Sequence, residues 1–235
     1  MFNRNLDQFN FMDKISCFVT SKAFHARLVI ALVIYIVCSL LQYYPVWYLL
    51  SDNALGMVLR TDFFRTTIAL LAIVSQLFLW IALAIALRQI GSKLHILGWG
   101  IVACMILYRI VGLGSLQDNP LSYNLFGIDM SLYTFNMIQG GIILVGQLLQ
   151  LVLGLGFLLK YAGRIRILGA TIVGMFIIMV TTEAVSYYLN MQNEVSESTI
   201  TFLTGINHVI FLLGLAVLVA MKYCFVKSEE EKKDE

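Results

Sequence analysis

The stretch LYTFNMIQGGIILVGQLLQLVLGLGFLL, Leu132 to Leu159, contains no charged residue, and none occurs anywhere between Asp129 and Lys160. A water-facing helix of that length needs a charged or polar face opposite its apolar stripe, and none is present. At 1.5 Å per residue, roughly 20 apolar residues cross the hydrocarbon core of a bilayer. This run exceeds that length and reads as a tilted or protruding span. Five more apolar runs lie on either side: Leu28–Leu50, Thr66–Leu87, Leu94–Leu113, Ile167–Leu189 and Ile200–Phe225. They lack the two-residue alternation of barrel strands, and lipid offers no hydrogen-bond partners to an open backbone, which leaves helices. The expected fold class is all-α, a polytopic transmembrane helical bundle of six spans.

Composition agrees. Of 235 residues, 60% are hydrophobic and 13% charged, against about 25% charged in soluble domains. Little chain is left for a separate soluble domain. The net charge of +2 gives no electrostatic footprint for nucleic acid. The expected organisation is a cytoplasmic N-terminal segment over 1–27, a six-helix membrane domain over 28–225 and a charged cytoplasmic tail over 226–235. Within the first segment Leu6, Phe9, Met12, Ile15 and Phe18 recur every three residues, which predicts a short amphipathic helix lying along the membrane surface. Because the start is polar and the first long apolar run begins only near Leu28, that run is expected to be a retained span rather than a cleaved signal.

Orientation follows from Lys and Arg, which concentrate in cytoplasmic loops. With the N-terminus inside, Arg4, Lys14, Lys22, Arg27, Arg88, Lys93, Lys160, Arg164, Arg166, Lys222, Lys227, Lys232 and Lys233 are cytoplasmic, thirteen of sixteen. Arg60 and Arg65 fall outside, and Arg109 lies within a span. The expected topology is therefore N-in and C-in. Tyr43, Tyr44, Trp47, Tyr48, Tyr108, Tyr133, Tyr187 and Tyr188 then map to the outer interface, and Tyr161 and Tyr223 to the inner one, where amphipathic rings prefer to sit.

Ionisable side chains within spans cost roughly 2.5–3.5 kcal/mol each on insertion scales. Three occur, Arg109, Glu183 and His208, and all fall in the outer half of the bilayer. One reading is an Arg109–Glu183 ion pair that ties two spans together. The other is a polar pocket open to the outside, formed by Arg109, Glu183, His208, Asn136, Gln139 and Thr204. In the fourth span Asn136, Gly140, Ile143, Gln147, Gln150 and Gly154 recur at steps of three or four and form a polar stripe, with Gln42 as a counterpart in the first. Such a stripe is expected to face the bundle interior, where amides bond across helices and glycines permit close approach. Ala170–Gly174, Gly100–Cys104 and Ala216–Ala220 are small-residue pairs suited to helix packing.

Other chemistries lack their residues. Cys17, Cys38, Cys104 and Cys224 form no CxxC pair, no HExxH, GxSxG or phosphate-binding glycine loop occurs, and the only histidines at one depth, His25 and His95, lie at inner span ends among basic residues rather than as haem ligands. No cofactor, metal or catalytic residue is expected. Glu183 with His208 is the one acid–base combination available. Phe64-Arg65 opening the second span, and Lys160-Tyr-Ala-Gly-Arg-Ile-Arg-Ile-Leu-Gly169 entering the fifth, make the chain resemble uncharacterised bacterial six-span integral membrane proteins. The resemblance implies a multi-pass protein of the bacterial cytoplasmic membrane and no particular function. The expected role is that of a non-catalytic subunit, sensor or accessory factor, whose partners are the bilayer and a lipid, small polar ligand or membrane protein. A small transporter or channel using the polar face of the fourth span is the alternative.

Overall fold

The computed structural model of the chain describes residues 15–42, 61–112, 115–116, 122–125, 127–191 and 197–228. Six helices lie among them: α1 (Lys22–Gln42), α2 (Asp62–Gln89), α3 (His95–Val111), α4 (Leu132–Lys160), α5 (Gly163–Met191) and α6 (Glu197–Tyr223). Each coincides with one of the six apolar runs. Lys22–Gln42, Phe63–Gln89, Leu132–Lys160 and Gly163–Val185 are long and apolar enough to cross a membrane. α3 is a shorter apolar helix, and α6 carries the apolar stretch His208–Tyr223. A helical membrane protein follows from these lengths and compositions.

Two small sheets accompany the helices. β1 (Phe18–Thr20) pairs in parallel with β5 (Phe225–Lys227). β2 (Ser115–Leu116), β3 (Ser122–Leu125) and β4 (Ile128–Ser131) form an antiparallel sheet between α3 and α4. The β3–β4 turn is closed by Gly127 at φ 86°, and its N–H donates to Asn124 Oδ1 at 3.0 Å. The helical-bundle class stands, with these two short sheets added in its connections. A transmembrane helix satisfies its own backbone, but the connections do not, and here they find partners in each other.

The chain divides into two compact units, Met1–Leu79 with Gly156–Glu235, and Trp80–Leu155. In the first, α1 and α2 run antiparallel, with Phe24 6.1 Å from Phe78 and Cys38 buried against Ile68 and Ala72. α6 packs along both α5 and α1. In the second, α2 leads into α3 through a tight turn in which Ser92 N–H donates to Leu87 O and Gly91 N–H to Arg88 O, both at 3.0 Å. Gly91 at φ 70° supplies the left-handed residue this cap requires. α3 then packs on α4 at three levels: Gly100 against Leu149, Cys104 against Gly146, and Val111 against Phe135. The Gly100–Cys104 pair thus serves the close packing predicted for it. Gly174 of α5 does not, since a Cβ there would meet nothing within 4 Å.

Three boundaries shift. α1 begins at Lys22, six residues before its apolar run, because helical hydrogen bonding continues beyond the apolar stretch. The amphipathic helix predicted through Phe18 gives way to strand over Phe18–Thr20, and residues 1–14 lie outside the described part. Val226 and Lys227, expected in a solvated tail, belong to β5; 229–235 lie outside it. So do Tyr43, Tyr44, Trp47 and Tyr48.

Candidate functional site

The first unit has one end where several elements lock together. β1 and β5 bring the start of α1 beside the end of α6, in the register Phe18↔Phe225, Val19↔Val226 and Thr20↔Lys227. Phe18 N–H donates to Cys224 O at 2.7 Å, and Ser228 N–H to Thr20 O at 2.9 Å. The Phe18 and Phe225 rings, 3% and 2% exposed, lie 5.2 Å apart. The segment before β1 crosses the α4–α5 turn, where Ala162 N–H donates to Ile15 O and Ile165 N–H to Ser16 O. Gly163 makes that crossing possible. Its φ is +55°, and a Cβ there would stand 2.7 Å from Ser16 Cβ. We refer to this interlock as the clasp.

Cys224 is a structural member of the clasp. Its thiol donates to Arg164 O and Ala220 O, each at 3.2 Å. Burial pushes its pKa up to about 12, with Arg164 opposing and Cys17 reinforcing the shift, so at neutral pH it stays protonated and unreactive. The Arg164 guanidinium lies 4.3 Å from the Tyr223 ring centroid, and Nη1 donates to Tyr223 O at 3.4 Å. Tyr161 is buried edge-on to Phe157 at 5.8 Å. Sequence reasoning missed the clasp, although a signal exists: Cys17-Phe18-Val19 and Cys224-Phe225-Val226 are the same tripeptide, and they are the segments that pair.

Measured from the clasp, α5 climbs away and α6 descends toward it. Glu183 lies about 30 Å from Gly163 along α5 at 1.5 Å per residue, and Thr204 about 28 Å and His208 about 22 Å from Tyr223 along α6. Glu183 is exposed and His208 half-buried, on two helices that pack on each other. These three candidates therefore share the end of the unit opposite the clasp.

The other candidates belong to the second unit. Arg109 is exposed in the last turn of α3, 5.5 Å from the centroid of the Tyr108 ring. Gln139 is half-buried, and its amide nitrogen lies 3.9 Å from where a Cβ on Gly112 would stand, beside the final carbonyls of α3. Asn136 is exposed. The polar stripe departs from expectation: Asn136, Gly140 and Ile143 are exposed, Gln147 and Gln150 half-buried, and only Gly154 buried. A Cβ at Gly140 would meet nothing within 4 Å. The reason is rotational. The face of α4 that meets α3 runs through Phe135, Ile142, Gly146 and Leu149, and the amides follow one residue later, about 100° around the helix. Gln42, the last residue of α1, is also exposed.

Among the described residues no three His, Cys, Asp or Glu side chains gather as a metal site would require. A scan against family models finds no match, and neither the curated proteins nor the solved structures contain one.

Proposed function

We propose that the chain is a six-span protein of the bacterial cytoplasmic membrane, with both ends inside, that works by binding rather than catalysis. The parallel β1–β5 pair supports the topology, because it places the start of α1 and the end of α6 together and so requires an even number of crossings between them. The basic residues Lys22, Lys160, Arg164, Lys222 and Lys227 belong to the elements joined at that end, as the inner face demands.

The binding reading rests on Glu183. It is an exposed carboxylate on a helix apolar enough to cross the membrane, inside the apolar segment Gly163–Val185. A charge there is costly without a compensating group. With Thr204 at nearly the same height and His208 about one turn deeper, the outer ends of α5 and α6 carry Glu183, Thr204 and His208 as candidate partners for a polar headgroup, a small polar ligand or a partner helix. Arg109, Asn136 and Gln139 are the corresponding polar residues of the second unit. The test is solvent access. With Cys17 and Cys104 replaced by alanine and the buried Cys38 and Cys224 retained, Thr204→Cys should react with a membrane-impermeant thiol reagent supplied from outside. If it stays unlabelled while Glu197→Cys reacts, the outer polar residues form a closed structural cluster and the binding reading fails.

A further inference from the structure

Because Cys17-Phe18-Val19 and Cys224-Phe225-Val226 pair in register, each tripeptide carries its cysteine to the same end of the β1–β5 ladder. Phe18 stands opposite Phe225, and the bond from Phe18 N–H to Cys224 O at 2.7 Å continues the pairing to the preceding residues. Neighbouring strands lie about 4.8 Å apart in the bonding direction, and a disulfide needs Cα atoms about 4.4–6.8 Å apart. A second set of bonds holds both cysteine segments from α5. Ser16 O, on the carbonyl joined to Cys17, accepts from Ile165 N–H at 3.3 Å, while the Cys224 thiol donates to Arg164 O at 3.2 Å. One peptide link, Arg164–Ile165, is therefore bonded to both. Each cysteine is free, Cys17 half-buried and Cys224 buried.

We propose that Cys17 and Cys224 are a redox-responsive pair, a dithiol under reducing conditions that a small-molecule disulfide oxidises to an internal disulfide stapling β1 to β5. Half-buried Cys17 reacts first. Its thiolate attacks one sulfur of the small disulfide, expels the other half as a thiol and retains a mixed disulfide. Cys224 then gives up its proton to solvent and attacks Cys17 Sγ, expelling the second half as a thiol. The protein loses two protons and two electrons, and the small disulfide gains both. The second step is the slow one, because burial raises the Cys224 pKa to about 12 and Arg164 O and Ala220 O both accept its proton. Brief oxidation thus leaves only a reversible adduct on Cys17, and sustained oxidation closes the staple across the two ends of the chain.

The test is oxidation of the full chain by glutathione disulfide in detergent, with Cys38 and Cys104 replaced by alanine. The readouts are intact mass and maleimide labelling after denaturation. Near pH 7 the first product should be a glutathione adduct on Cys17. It should convert to a species two hydrogens lighter than the parent, with neither cysteine open to maleimide, and a reductant should restore both thiols. Conversion should speed up about tenfold per pH unit up to about pH 9, as the Cys224 thiolate fraction rises. Cys17→Ser with Val19→Cys moves the thiol two positions along the ladder, opposite Val226, and should give the adduct without the internal bond. An adduct that persists near pH 9 with Cys224 still open to maleimide would overturn the proposal. So would an internal bond that forms no faster in the folded chain than in the denatured one, or equally well from Val19→Cys, since the register would then contribute nothing. A disulfide between two chains in place of the internal one would overturn it as well.

Discussion

The clasp and the amide stripe of α4 make an instructive pair. The clasp uses short, unremarkable segments, yet its backbone groups are bonded across three chain segments, its two phenylalanines are almost fully buried, and one glycine is placed where no other residue fits. The stripe has the stronger pattern in sequence, with three amides and two glycines at helical spacing, yet half of it is exposed. The difference is one of partners. A periodic pattern specifies only which residues share a face, whereas packing is decided by the complementary face opposite. On α4 that is the Phe135–Ile142–Gly146–Leu149 seam, offset by one residue from the amides.

Substitutions should separate the two regions sharply. Phe225→Ala should be the most damaging, costing about 3–5 kcal/mol as for other fully buried aromatics, read as a lowered melting temperature in detergent. An unchanged melt would mean that β1 and β5 contribute nothing to the unit. Gly163→Ala should come next, at about 2–3 kcal/mol, because the left-handed backbone penalises a Cβ by roughly 1–2 kcal/mol and the clash with Ser16 adds to it. A Gly163→Ala protein as stable as the parent would show that residues 15–16 do not cross this turn. Arg164→Gln should cost about 0.5–1 kcal/mol, the scale of a partly solvated cation–aromatic contact; a loss several times larger would mean Arg164 holds more than Tyr223. Gly140→Ala should have the smallest effect, neutral or stabilising by up to about 1 kcal/mol from helix propensity alone. A marked loss there would show that the exposed stripe packs on something after all.

What the sequence made legible follows the same logic. The six helices were readable because hydrocarbon imposes one rule on every residue of a span, and a run such as Leu132–Leu159 has no other use. Their ends were less so, because helical bonding outlasts apolarity: α1 starts at Lys22 and α5 at Gly163, each several residues before its apolar run. The strands were not readable by periodicity, since three or four residues are too few to show an alternation. Phe18 reads as the last turn of an amphipathic helix because nothing local reveals that its partner is 207 residues away, at Phe225. Only the repeated Cys-Phe-Val tripeptide could have suggested it. Of the candidate site, Glu183, Thr204 and His208 do fall at one end of one unit, while Arg109, Asn136 and Gln139 fall in the other. Height along each helix was legible from position within its apolar run. Which helices stand beside which was not, because six apolar helices carry little in their composition to choose their neighbours.

The claim on which topology and clasp both depend is that the two ends of the chain meet on one side of the membrane. Cross-linking the register pair tests it most directly. In isolated membranes, with Cys17 and Cys104 replaced by alanine, Val19→Cys with Val226→Cys should be joined within one chain by a short bis-maleimide. After a single engineered cut in the chain between them, the two fragments should still migrate together. Val19→Cys with Glu197→Cys, the first in β1 beside the C-terminal end of α6 and the second at its N-terminal end, should not be joined. If the Val19/Val226 pair links no better than that control, the two ends do not meet and the account is wrong.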